Sequence, residues 1–141
     1  MFAGIICFIY LTAASLCDIR YGRIPNYLTI SAFVIIITYD LIFSLSAIPL
    51  HLVCSLFFLI VFLTARFITK GIGYGDIKLA AVTGYCMGFI KTSSIFIISA
   101  LLGITIFCLL RVKGKRIMTL PFAPLAAAGF VISQISFRGF K

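Results

Sequence analysis

The chain of 141 residues is too apolar and too poor in charge for a soluble globular domain. Hydrophobic residues make up 63% and charged residues 11% of the sequence, with 12 Lys and Arg against 3 acidic residues, all of them Asp. Soluble domains usually contain about 45 to 50% apolar and about 25% charged residues. The composition excludes a soluble enzyme or binding module and indicates an all-α, polytopic membrane protein, with one domain over residues 1–141.

Six apolar segments are candidates for membrane-spanning helices. A hydrocarbon core takes roughly 17 to 25 helical residues to cross. Taken alone, the short segment 77–90 also suits a re-entrant or buried stretch, but the charge pattern favours counting it. The predicted spans are residues 2–17, 27–46, 48–68, 77–90, 92–110 and 120–137.

The basic residues predict how these spans are oriented. Nine of the 12 Lys and Arg fall on alternate connections and three on the others, and the positive-inside rule assigns the basic connections to the cytoplasm. Six spans then put both termini outside, and Asp18 and Asp76 at cytoplasmic helix ends. The net charge of +9 is spread over several loops, so we expect contact with membrane lipids and no nucleic-acid partner.

A glycine-rich stretch precedes one of the aspartates. Residues 70–76 read Lys-Gly-Ile-Gly-Tyr-Gly-Asp, and so many glycines disfavour a helix. Non-helical backbone at membrane depth is tolerated where it is buried in protein or lines a water-filled cavity. We therefore expect a cleft at Asp76 in which an extended peptide pairs with the backbone. The simpler alternative is a loop in which Asp76 caps the next helix.

A second aspartate lies beside a helix break. Asp18 ends the first predicted span, Arg20 and Arg23 follow it, and Pro25 and Asn26 are suited to stopping one helix and capping the next. On spacing alone, a surface ion pair with the arginines is an equally good interpretation. An ionisable group at membrane depth costs at least about 2.5 to 3.5 kcal/mol. A chain with so few carboxylates that retains two beside such breaks is therefore expected to use them.

The third aspartate and the one histidine are predicted on the opposite membrane side. Asp40 is separated from Asp76 by the bilayer in this topology, so we expect an outer-interface residue without a catalytic role. No acidic or thiol partner is predicted near His51, which is interpreted as an interfacial or otherwise satisfied polar residue. The five cysteines have no C-x-x-C spacing, which favours packing over a zinc or disulfide framework.

Three motifs, in this order along the chain, resemble those of one enzyme family. They are Asp18-x5-Ile24-Pro25-Asn26, Gly73-x-Gly75-Asp76-x-Lys78-Leu79, and Pro121-Phe122-Ala123-Pro124 with Gly129. The chain is similar to the type IV prepilin peptidases, which are aspartic proteases of the bacterial inner membrane within a wider group of intramembrane proteases that carry a Gly-x-Gly-Asp motif. Ala123 stands where many relatives have Gly.

The resemblance implies that Asp18 and Asp76 are the catalytic pair. Two carboxyl groups in one site do not both ionise freely, so one stays protonated while the other activates a water that attacks the scissile carbonyl. This mechanism needs no metal or cofactor. The implied substrates are prepilins or pseudopilins, cut at the cytoplasmic membrane face between a basic leader and an apolar helix. The residues implied to support the pair are Gly73, Gly75, Lys78, Pro25, Asn26, Pro121 and Pro124.

Longer family members carry a cytoplasmic insertion near the N-terminus that is linked to N-methylation of the product. Here Met1 leads directly into the first apolar segment, so we expect peptidase activity without methyltransferase activity. Two other classes stay open: a small ion-coupled transporter that uses Asp18 and Asp76 as a relay, and an inactive assembly subunit of the same fold. An archaeal preflagellin peptidase would share the dyad. Neither aspartate is central in its span, which argues against the transporter.

Overall fold

The computed structural model describes residues 2–69, 72–112 and 122–139, and they form a helical bundle. No strand occurs within these ranges, so the predicted all-α class is confirmed. A 3-10 turn, Leu45–Ala47, joins the second helix to the third. The helices are α1 (Phe2–Tyr21), α2 (Asn26–Phe43), α3 (Ile48–Thr69), α4 (Tyr74–Val112) and α5 (Phe122–Gly139).

The outer surface of the bundle is apolar. Four helices are long and apolar enough to cross a membrane, and a shorter apolar helix covers Phe122–Ser136. Large side chains such as Ile9, Ile42 and Phe67 are exposed along them, which suits lipid and not water. Because lipid offers the backbone no hydrogen-bond partners, helices that satisfy their own N–H and C=O groups are the stable form. The chain is therefore a multi-pass membrane protein.

The longest helix, α4, bends sharply at Gly88. That residue has φ 71° and ψ −179°, a conformation open mainly to glycine. Beyond the bend the Thr92 hydroxyl donates to the Thr83 carbonyl at 3.0 Å, whereas residues nine positions apart in a straight helix are separated by about 13.5 Å. Residues 74–87 and 89–112 are thus two arms folded against each other.

The two arms correspond to the predicted spans 77–90 and 92–110. With α1, α2, α3 and α5 they make six helical segments within the described residues. How many of the six cross a membrane, and on which side the termini lie, stay predictions.

Helix ends gather at two opposite ends of the bundle. At one end the Phe2 ring stacks on Tyr39 with 4.4 Å between centroids. There too, the Gln134 amide donates to the sulfur of Met87, next to the bend. We call this the bend end, and it includes Asp40, His51 and Gly88. At the other, the Asp18 side chain meets the start of α5. We call this the motif end, and it includes Asp18, Asn26, Asp76 and Ala123.

Small residues and hydroxyl groups join the helices. Ser55 of α3 donates to the Ala81 carbonyl at 2.9 Å, and Ser99 of α4 donates to the Leu125 carbonyl at 3.0 Å. A Cβ added to Gly129 would lie 2.7 Å from the Ile95 carbonyl oxygen. Close backbone approach and interhelical hydrogen bonds are what hold helices together in lipid. The Ser55 contact fixes the first arm of α4, which contains Asp76, against α3, and the Ser99 and Gly129 contacts fix the second arm against α5.

Candidate active site

Asp76 lies in the first turn of α4. Gly73 precedes the helix, and its N–H donates to Asp76 Oδ2 at 3.2 Å, while the Asp76 N–H donates to the Gly73 carbonyl at 3.2 Å. This is the pattern by which a side chain at the third helical position reaches back to the cap residue. The expectation that the glycine-rich stretch is non-helical is wrong at Gly75 and Asp76, because α4 begins at Tyr74. The capping role, which was the simpler alternative for Asp76, is present.

Asp18 lies in the last turn of α1 and faces the start of α5. Its Oδ2 accepts the Ala123 N–H at 3.3 Å, and Ala123 is the second residue of that helix. The partial positive charge of a helix N-terminus stabilises a carboxylate there. The alternative of a surface ion pair with Arg20 or Arg23 is not realised in the structure, where both arginines are exposed.

The first and second motifs pack directly on each other. An added Cβ on Gly75 would lie 3.1 Å from Ile24 Cγ1, so the connection after α1 packs tightly against the start of α4. Lys78 Nζ donates to Asn26 Oδ1 across the same contact. Asn26 is the first residue of α2 and Pro25 holds the cap position. The prediction that Asn26 caps this helix is therefore wrong, since its side chain binds Lys78 instead.

The third motif reaches this end of the bundle through α5. Ala123 bonds to Asp18, and Pro124 is half-buried in the first turn of that helix. Pro121 lies outside the described residues.

Both carboxyl groups of the predicted pair are half-buried, and they are electrostatic neighbours. The predicted site residues that the structure describes thus lie together at the motif end.

Sequence reasoning missed the part that Arg66 has at this site. This residue of α3 donates to the Ile72 carbonyl, and its guanidinium carbon lies 3.7 Å from the centre of the Tyr74 ring. From the sequence alone, Arg66 was interpreted only as one of the basic residues that predict the topology. The available signal was an arginine close to the end of a helix, followed by a glycine-rich turn with an aromatic residue.

The third aspartate has a different environment. Asp40 is 3% exposed, and His51 Nδ1 lies 2.8 Å from its Oδ2. Among the side chains that the structure describes, this is the single pairing of a basic with an acidic group. The expectation that His51 lacks an acidic partner is wrong because the 3-10 turn after α2 brings it back onto Asp40. Asp40 is buried within the protein, and its place on the outer side of the membrane stays a prediction. The interpretation of His51 as a satisfied polar residue is confirmed.

The described part of the chain contains no cluster of side chains suited to a metal site, and its buried cysteines are free. There, no three His, Cys, Asp or Glu side chains converge closely enough to hold a metal ion. Cys7, Cys54 and Cys86 are buried as free thiols, which agrees with a packing role.

Comparisons with known proteins identify one family. The model of the type IV leader peptidase family matches residues 5–108, a range that contains both aspartate motifs. Over 138 residues the chain is 28% identical to a Bacillus subtilis (strain 168) protein named prepilin leader peptidase/N-methyltransferase. The alignment covers 96% of this chain and 56% of that protein, so the chain spans just over half the length of this relative. No solved structure matches the chain.

Proposed function

Because the chain belongs to the type IV leader peptidase family, we propose that it is a membrane aspartic endopeptidase that removes the basic leader from prepilins or pseudopilins. The observation that carries this proposal is the meeting of the Asp18 and Asp76 motifs at one end of the bundle through the Ile24–Gly75 and Asn26–Lys78 contacts. Neither carboxylate forms an ion pair with a Lys or Arg among the described residues, so both stay available for acid and base chemistry.

The two carboxyl groups have complementary roles in the proposed reaction. Each has one oxygen bonded to a backbone N–H, Gly73 for Asp76 and Ala123 for Asp18, and no described residue donates to the other oxygen. Those second oxygens are suited to holding a water between the groups. In the proposed reaction the two groups share one proton, because two like charges in one site do not both ionise freely, and protonation then belongs to the pair as a whole.

The reaction proceeds by attack of water on the scissile carbonyl. The ionised aspartate takes a proton from the water as the new C–O bond forms, and the protonated aspartate donates its proton to the carbonyl oxygen. The first aspartate then passes its proton to the amide nitrogen as the C–N bond breaks, and the oxygen returns its proton to the second. The products are a leader with a new carboxylate and a mature chain with a new amine, with no covalent enzyme intermediate.

We expect the apolar helix of the substrate to dock in the bilayer and the extended peptide next to its leader to lie at Asp76. Gly73 is exposed beside Asp76, which leaves backbone surface for an extended peptide. The motif end carries several basic side chains, among them Arg20, Arg23 and Lys78, so a basic leader gains no general attraction there. Docking of the apolar helix in the bilayer is therefore the main source of recognition, with the two aspartates as local counter-charge. A large loss of cleavage on neutralising only the leader would contradict this.

The motif end is proposed to face the cytoplasm of a bacterial inner membrane, with both termini outside. The basic connections of the sequence support this orientation. Labelling of Arg23→Cys by a membrane-impermeant maleimide tests it against the same chain without that substitution. The orientation predicts labelling only when the cytoplasmic face is open to the reagent.

Methylation of the new N-terminus remains a separate question. The Bacillus relative is named for both activities, and we propose that this chain performs the cleavage alone. The mass of the processed pilin, made in the presence of S-adenosylmethionine, decides the point. An added methyl group would contradict the proposal.

The experiment that tests the peptidase is cleavage of a prepilin by the purified chain in liposomes. We expect two products whose masses sum to substrate plus one water. In water enriched with a heavy oxygen isotope, the label should appear in the leader's new carboxylate. If a folded chain cleaves none of several prepilins, the transporter or inactive-subunit alternatives gain, and ion flux into the same liposomes distinguishes those two.

A further inference from the structure

The turn at residues 72–74, which leads into α4, is held from both sides by one side chain. Arg66 donates to the carbonyl of Ile72 on one side of Gly73, and its guanidinium lies over the ring of Tyr74 on the other. Between them, the Gly73 N–H bonds to Asp76 Oδ2. We propose that Arg66 is a positioning residue that fixes this turn and thereby holds the Asp76 carboxyl in its working orientation. This inference rests on the proposed function, in which Asp76 is catalytic.

The contact uses properties that arginine has and lysine lacks. A guanidinium is planar, so its edge donates to the Ile72 carbonyl while its face stacks on the Tyr74 ring. A lysine ammonium is a compact, strongly hydrated charge without a stacking face. The Tyr74 side chain is 65% exposed, so packing alone leaves its ring largely unconstrained. Arg66 therefore couples the end of α3 to the start of α4 in a way that Lys does not reproduce.

Glycine at position 73 makes such an external constraint useful. A glycine backbone has access to more conformations than any other residue, and the donor that binds Asp76 belongs to this glycine. If the turn loosens, the carboxyl loses a fixed hydrogen bond and samples unproductive orientations. Small displacements of a catalytic group reduce the rate steeply, whereas docking of the substrate helix is little affected. The expected signature is a loss in kcat with an almost unchanged KM.

Kinetics of matched variants test this signature. Arg66→Lys and Arg66→Ala are expected to reduce kcat roughly tenfold to a hundredfold, with KM changed by less than about twofold. Arg20→Lys, at an exposed arginine of the same end, serves as the control and should match the wild type. Tyr74→Phe keeps the ring and should retain activity, while Tyr74→Leu should resemble Arg66→Lys. Wild-type kinetics in Arg66→Lys, or a loss confined to KM, would overturn the proposal.

Chemical rescue separates positioning from a general effect on folding. Removal of the side chain in Arg66→Ala leaves space for a small planar cation, so added methylguanidinium should restore part of kcat. Methylammonium has the same charge without the plane and should not. Equal rescue by both, or by neither, would contradict the role assigned to the guanidinium.

Amide hydrogen exchange tests the same claim without any substrate. Exchange of the Gly73 amide in the purified chain should be about tenfold faster in Arg66→Lys than in the wild type, and unchanged in Arg20→Lys. Equal exchange rates in all three would overturn the positioning role even if cleavage is affected. If the wild-type chain cleaves no prepilin while Arg66→Lys still speeds exchange, the proposed function fails and the structural role of Arg66 stands.

Discussion

The two ends of the bundle use the same residue type in opposite ways. At the bend end, Asp40 is almost fully buried and paired with His51. At the motif end, Asp18 and Asp76 are half-buried, and each has one oxygen bonded to a backbone N–H at a helix start. Removing one partner of such a buried pair is strongly destabilising because the other group is left uncompensated, so we assign Asp40 a structural role. A carboxylate held by helix N-termini beside a second carboxyl keeps an oxygen for chemistry.

The largest expected effect is at the motif end. Asp18→Asn and Asp76→Asn should each lower kcat by about 10² to 10⁴-fold, the usual contribution of a positioned acid or base. Because the two groups act as a unit, the double variant should be no worse than either single variant. Steady-state or single-turnover cleavage of one prepilin measures all three. If the kcat reductions of the two single variants multiplied in the double variant, the two aspartates would act independently.

The next effect is at the bend end and concerns stability. Asp40→Ala leaves His51 without its acceptor in a largely buried site, so the free energy of unfolding should fall by roughly 3 to 5 kcal/mol. Cleavage per folded molecule should stay within about twofold of the wild type. Denaturant unfolding in mild detergent, followed by helix content, measures the first quantity. Loss of cleavage with unchanged stability would reverse the roles that we assign to the two ends.

Two glycines extend the comparison to packing. A Cβ on Gly84 would lie 3.0 Å from the Cys54 carbonyl oxygen and from Phe58, so Gly84→Ala should cost about 1 to 3 kcal/mol of stability without affecting cleavage. At Gly75 the Cβ meets only the flexible Ile24 side chain. Gly75→Ala should therefore cost less stability but shift Ile24 and lower kcat by about tenfold.

Gly4→Ala is the matched control for both glycine variants. Its Cβ would make an ordinary contact of 3.5 Å with the Met87 methyl group, so neither stability nor cleavage should change. If Gly84→Ala lowered kcat while Gly75→Ala lowered only stability, the assignment of the two ends would be wrong.

The smallest expected effect is the hydrogen bond between Asn26 and Lys78. A double-mutant cycle with Asn26→Ala and Lys78→Met should give a coupling free energy of about 0.5 to 1.5 kcal/mol in unfolding. Each single variant should reduce kcat by a few-fold, because α2 and α4 lose one tie next to Asp76. A coupling near zero would leave Lys78 with a role in lipid contact or topology alone.

The sequence predicted the helices and the division of the aspartates between two ends. The apolar runs are long and are separated by Gly, Pro and charged residues, so the predicted segments 48–68 and 120–137 correspond to α3 and α5. Alternation of antiparallel helices then puts Asp18 and Asp76 at one end and Asp40 at the other, as the structure has them. These features depend on local composition and chain direction, which a single sequence carries.

Contacts that depend on the geometry of turns were not predictable. The sequence predicted two segments, 77–90 and 92–110, but the apolar pattern continues through Gly88 and does not reveal that the reversal lies there at a positive φ. The 3-10 turn Leu45–Ala47 decides that His51 meets Asp40, and the turn before Tyr74 decides that Arg66 reaches Ile72. Each of these pairs depends on a few backbone angles for which the residue pattern has no distinct signal.

The most direct test of the central claim compares the three aspartates in one assay. The chain is co-expressed with a candidate prepilin as wild type, Asp18→Asn, Asp76→Asn and Asp40→Asn, and leader removal is followed by gel shift and mass, with the amount of membrane-inserted chain measured alongside. We predict that cleavage is lost in Asp18→Asn and Asp76→Asn at normal protein levels and kept in Asp40→Asn. Cleavage that survives in either motif-end variant, or that is lost only in Asp40→Asn, would contradict the account.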